Sequence, residues 1–274
     1  MSSPIIGLDH VVVCVSDLDR ASRCYATLFA SKPMPLDRNN ASHGVMFQTQ
    51  NTCLCLVETG TTHVSTGLKR AGFLIDSIDR ARRRLTRLGI KEREPAGSEL
   101  VVTRRQDLMA EVTNTDQHQW SRGLDLRFVQ TPTGSVYDTE KQSQRQGERA
   151  LGLDHLVIAS SDPQATAFLC AAQLGLDLRL DLENPKWGGR FLFFRCGDLI
   201  IEVVHGLKGS PNEDVVDQFY GLSWRVKDAQ EVQASLQNEG FLVSELRDGR
   251  KPGTLVFTLQ DKCTGTPTLV LQPA

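Results

Sequence analysis

The segment GLDHVVVCVSD at residues 7–17 returns as GLDHLVIASSD at 152–162, and each copy is followed by an apolar run ending in glutamate, CLCLVE at 53–58 and DLIIE at 198–202. A long-period repeat constrains a fold more than any single motif, because duplicated units stack or pair to complete one another's cores. The repeated polar residues are His10 with Glu58 and His155 with Glu202. Both are metal-ligand types, standing where strand packing favours apolar side chains.

The helical and strand periods resolve the repeat into four units. After the strand at about 8–15, Ser16 and Asp17 suit a helix N-cap, and Leu18, Ala21, Tyr25 and Leu28 recur on one helical stripe. RAGFLIDS at 70–77 opens a second unit whose helix carries Ile78, Ala81, Leu85 and Leu88, with Gly89 as a C-cap. A third opens at 153–160 and continues through Asp162 and Pro163; a fourth opens with GLSWRV at 221–226 and an Asp228-capped helix. The closing strands LCLVE, LRFVQ, DLIIE and TLVLQ overlay to end at Glu58, Gln130, Glu202 and Gln272. His10 to His155, Glu58 to Glu202 and Gln130 to Gln272 are then 145, 144 and 142 residues apart, so the chain reads as a duplicated pair of units.

The 274 residues, 40% of them hydrophobic, suffice for two cores. The polar stretch 131–150 reads as the linker between a domain at 1–130 and one at 151–274. A net charge of -2 gives no broad electrostatic reason to expect nucleic acid or an anionic membrane. The arginines of RARRRLTRLGIKER at 80–93 read as the solvated side of an amphipathic helix. Seven cysteines, at 14, 24, 53, 55, 170, 196 and 263, form no CxxC pair and suggest a reducing, cytoplasmic setting. No secretory or membrane-spanning segment is expected.

The openings LDHVVVCVSDLDRA and LDHLVIASSDPQAT and the closings LVE and IIEV resemble the vicinal oxygen chelate superfamily, which includes glyoxalases, bleomycin-resistance proteins and extradiol dioxygenases. The resemblance implies an α+β chain of four tandem βαβββ modules, paired into two glyoxalase-like domains with concave mixed sheets. It also implies a divalent metal held by residues on the first and last strands. Carried over, the ligands are His10, Glu58, His155 and Glu202, with Gln130 and Gln272 at the last-strand positions of units two and four. Whether unit one pairs with unit two or with unit four, exchanging the two glutamines between sites, stays open.

Imidazole plus carboxylate suits Zn, Fe, Mn, Co or Ni. Such an ion would polarise vicinal oxygens of a substrate or acidify a bound water. Glu58 and Glu202 are the candidate catalytic residues. The expectation is a metal-dependent lyase, isomerase or dioxygenase acting on a small oxygen-rich metabolite, with a homodimer as one open arrangement. The alternative is a metal-free cleft that sequesters a small molecule. Against the metal sites stands a plainer reading, in which His10 and His155 hydrogen-bond the preceding Asp9 and Asp154. Cys53 and Cys55 fall on the strand face opposite Glu58, and His205 on the face opposite Glu202. NPKWGGRFLFFRCG at 184–197 reads as a hairpin turning at Gly188 and Gly189, with Trp187 and Arg190 as substrate-binding candidates at the cleft mouth. His63, in a loop after Glu58, is a weaker candidate.

Overall fold

The computed structural model describes residues 3–36, 44–59, 65–90, 119–130, 150–206 and 217–274. Of the expected linker, 131–150, all but Ala150, which opens a strand, lies outside the described residues, as does His63. The first unit runs β1 (Ile5–Val15), α1 (Leu18–Phe29), β2 (Met34–Pro35), β3 (Gly44–Gln48) and β4 (Cys53–Glu58). From the second come β5 (Gly67–Ile75), α2 (Ile78–Arg87) and β6 (Asp125–Val129). The third comprises β7 (Ala150–Ala159), α3 (Pro163–Ala167) continued by a π-helical segment (Phe168–Gln173), β8 (Asp177–Asn184), β9 (Gly189–Cys196) and β10 (Leu199–Gly206). The fourth comprises β11 (Gln218–Val226), α4 (Ala229–Asn238), β12 (Arg247–Asp248), β13 (Leu255–Leu259) and β14 (Thr268–Gln272).

Units one and two build one six-stranded sheet, β2-β3-β4-β1-β5-β6, and units three and four an eight-stranded one, β12-β13-β14-β11-β7-β10-β9-β8. Unit one therefore pairs with unit two, through antiparallel β1 and β5, and unit three with unit four, through antiparallel β7 and β11. Within each unit the first and last strands run parallel, so both ends of the unit lie side by side.

Each helix begins at an aspartate or serine whose side chain accepts a backbone N–H three residues on: Asp17 from Arg20, Ser77 from Arg80, Asp162 from Ala165 and Asp228 from Glu231. These caps satisfy donors that the first helical turn leaves unpaired. The helices lie on one side of their sheets, and a single core runs through both halves. Phe29 of α1 meets Trp224 of β11 edge-on at 4.8 Å, and both rings are buried. Across the same junction Arg20 pairs with Asp261 and Arg122 with Asp217. Arg84 departs from the expected solvated face of α2. Its guanidinium donates to the carbonyls of Ala172 and Gln173 at 2.6 and 2.7 Å, satisfying the end of the π segment.

Candidate functional site

A bulge places each repeated histidine. The β1–β5 register shifts between Leu8 and His10, and the β7–β11 register between Leu153 and His155. The extra residue is Asp9 in one half and Asp154 in the other, and a bulge brings adjacent side chains toward one side of the strand. Asp9 Oδ2 thus reaches His10 Nδ1 at 2.8 Å, and Asp154 Oδ2 reaches His155 Nδ1 at 2.6 Å. The Asp-His pairing leaves Nε2 as the remaining ring nitrogen in both halves.

The two histidines then meet different surroundings. His10 is 1% exposed, Asp9 is fully buried, and His10 Nε2 has no hydrogen-bond partner. The His10 ring lies over Gly72, where a Cβ would stand 2.2 Å from Cε1. Val12, Cys14, Cys53 and Cys55 on the same face are all buried. His155 is instead 23% exposed, meets the Phe193 ring edge-on at 6.0 Å, and pairs across the sheet with Ser223 rather than a glycine.

Strand register separates the two glutamates. His10 pairs with Cys53, so Glu58 lies five residues beyond its partner; His155 pairs with Ile200, so Glu202 lies two beyond. Side chains alternate along a strand, so the even offset keeps Glu202 on the face of His155 and the odd one turns Glu58 away from His10. Glu58 points instead to the helix side, where Oε1 accepts from the Leu18 N–H at 3.4 Å. Gln130 Oε1 accepts from the Ile78 N–H and Gln272 Oε1 from the Ala229 N–H, both at 2.9 Å. In three units the strand-end residue therefore secures the first N–H of the unit's own helix. In the third unit that first residue is Pro163, which has no N–H to donate. The equivalent strand position there is held by His205, whose Nδ1 bonds the Ser160 carbonyl at 2.9 Å. The alignment of Glu58 with Glu202 in the sequence is thus three residues out of structural register.

The donors expected in each half are not brought together as a set. His10, Glu58 and Gln130 do not meet; of His155, Glu202 and Gln272 only the first two share a face. Among the described residues no cluster of three His, Cys, Asp or Glu side chains could hold a metal ion.

What the C-terminal sheet does assemble is an open concave face. Register and alternation put His155 and Val157 of β7, Ile200 and Glu202 of β10, and Phe191 and Phe193 of β9 on it. Burial raises the Glu202 carboxyl pKa above the usual glutamate range, partly opposed by electrostatic interaction with His155 and Arg250. Trp187 packs edge-on against Phe191 at 5.6 Å, and the Arg250 guanidinium lies 4.1 Å over the Trp187 ring. Arg190 is engaged elsewhere, donating through Nε and Nη2 to both oxygens of Asp181 at 2.8 and 2.7 Å. Arg250 was not legible as a site residue, because RDGRKPG reads only as a polar turn.

No family model matches the sequence, and a search of curated proteins finds no relative. Solved structures do resemble the fold. A mutant of 4-hydroxymandelate synthase from Streptomyces coelicolor aligns over 98% of this chain and 93% of its own, with a TM-score of 0.65 at 12% identity. The Mn(II)-bound glyoxalase from Novosphingobium aromaticivorans aligns over 98% and 83%, with the same score and identity. Methylmalonyl-CoA epimerase from Mycobacterium tuberculosis covers 46% of the chain at a TM-score of 0.40. The chain shares its overall α+β fold, two mixed sheets each built from a pair of repeated units, with the 4-hydroxymandelate synthase and the glyoxalase. No described helix is long and apolar enough to cross a membrane.

Proposed function

We propose that the protein is an enzyme acting on a small oxygen-rich metabolite, and that it works on the concave face of its C-terminal sheet. The observation that carries this reading is the His155–Glu202 pair, an imidazole oriented by Asp154 beside a carboxyl raised by burial. A carboxyl whose environment moves its proton affinity toward neutrality suits general acid–base work. Glu202, freed of its proton, would take one from a carbon or hydroxyl next to a substrate carbonyl. His155 Nε2 would return it or hold the developing negative charge.

A divalent metal is the second reading, favoured by one observation. A histidine whose Nδ1 is held by a carboxylate, leaving Nε2 free, is the usual supporting arrangement for a metal ligand. Two donors are short of the three that catalytic metal sites of this chemistry use, and Gln272 is committed to Ala229. The described residues do not complete a metal site, and the acid–base account needs no ion.

The test is turnover against a panel of hydroxy- and oxo-substituted metabolites, run beside metal analysis of protein purified without chelator or affinity metal. Activity that is lost in Glu202→Gln and kept in Glu58→Gln supports the reading. Activity unaffected by Glu202→Gln would sink it. About one equivalent of metal, lost in His155→Ala, would favour the second chemistry at the same place. Substrate binding without turnover, unchanged in Glu202→Gln, would leave a sequestering cleft.

A further inference from the structure

The eight-stranded sheet has β12 and β8 at its two edges, yet a residue that follows one edge touches the turn that follows the other. Arg250, directly after the β12 pair, lies 4.1 Å over Trp187 in the β8–β9 turn and 5.1 Å over the Phe191 ring. Curling of the sheet over its concave face brings the turns at its two edges together, which puts Arg250 and Trp187 at the mouth of the cleft. Phe191 touches both, and the paired Phe193 and Glu202 lie further along the same face.

Arg250 differs from three other arginines around this sheet. Arg190 is spent on Asp181, and Arg225 donates to Asp198 and the Leu153 carbonyl. Arg179 pairs with Asp177. Arg250 makes no hydrogen bond or ion pair among the described residues, and its guanidinium carbon lies over two aromatic rings. Glu202 senses its charge, yet the two form no ion pair. A guanidinium held over aromatic rings and without a hydrogen-bond partner keeps its planar fork of donors available, and that fork takes a carboxylate with two parallel hydrogen bonds. The rings that hold it offer apolar surface for a flat ligand body.

We infer that Arg250 is the anion-recognising and specificity-determining residue of the cleft, and that the cleft takes a small planar carboxylate whose ring or unsaturated body lies against Phe191 and Phe193. This deepens the reading of the C-terminal face as the working site and rests on it.

Benzoate and its uncharged isostere benzamide are the probes, titrated calorimetrically into the full-length protein with tryptophan fluorescence in parallel. Benzoate should bind and benzamide should bind at least about ten-fold more weakly. Arg250→Ala should erase that preference by weakening benzoate about ten-fold or more. Arg250→Lys should restore only part of it, because an ammonium lacks the planar fork. Should Arg250→Ala unfold, shown by thermal melting, Arg250→Lys and Trp187→Ala carry the test with the same expectation. Equal affinity for the two probes, or wild-type benzoate affinity in a folded Arg250→Ala, would overturn the inference. His155→Ala and Glu202→Gln separate the two levels: a benzoate preference kept in both, on a protein that turns over nothing, supports the anion site while the enzymatic reading fails.

Discussion

The two halves carry the same opening, LDH, and use it differently. In the N-terminal half the imidazole is sealed against Gly72, and the following glutamate serves a helix end. In the C-terminal half the imidazole is open, and the following glutamate stands beside it. The difference traces to a register offset of three residues and to one proline. Where the helix begins with Leu18, its N–H needs an acceptor and Glu58 supplies it; where it begins with Pro163, no acceptor is needed. A repeat can therefore keep its letters while the same residue types meet different surroundings in its two halves.

The sharpest way to break this comparison is to exchange carboxyl for amide in each half. Glu202→Gln should lower turnover by about 100-fold or more, the usual contribution of a positioned acid or base. Glu58→Gln should leave it unchanged, since an amide oxygen caps Ile78 and Ala229 in the sister units. Equal losses from both would mean that the halves share one chemistry.

Gly72→Ala should be the larger stability effect. The new Cβ would collide with the His10 ring, and overpacking of this kind costs about 1–3 kcal/mol. Urea unfolding would measure it. A neutral result would show that His10 is free to swing out of its seat.

Removing the N-terminal anchor altogether, Glu58→Ala, should cost about 1 kcal/mol, as loss of a helix cap does. The pH dependence of stability distinguishes the other glutamate. Because folding raises the Glu202 pKa, the native state favours its protonated form. Its contribution is therefore fully present below the ordinary glutamate range and is lost as pH rises through the higher native value. Thermal melts should accordingly show Glu202→Gln more stable than wild type near neutral pH, with the gap closing in acid. Asp261 runs the opposite way. Its carboxyl, paired with Arg20, is held down at about 2, so its contribution is present above the ordinary aspartate range and fades as pH falls toward about 2. Asp261→Asn should remove that acid-side loss.

The smallest effect tests the proline. Pro163→Ala restores an N–H with no strand-end acceptor, and His205→Gln should supply one. Each single change should shift stability by less than about 1 kcal/mol, while the double variant recovers more than the two effects sum to. Strict additivity would mean that the acceptor and the helix start are uncoupled.

Local pattern alone carried the four units, their strand and helix order where described, the caps at Asp17, Asp162 and Asp228, and the hairpin at Gly188. These depend on neighbours within a few residues, where periodicity and capping chemistry act. It also put Glu58 opposite the face of Cys53 and Cys55, and His205 opposite Glu202, because alternation along one strand is local. Only the tertiary structure decided which glutamate faces a histidine. That depends on the register between two strands some forty residues apart, and a shift by an odd number of residues turns every side chain to the other face. Pairing of unit one with unit two, and the reach of Arg250 across the curled sheet to Trp187, are likewise long-range. No local pattern marks which distant edge a polar turn will meet, because the curl of the whole sheet brings the two together.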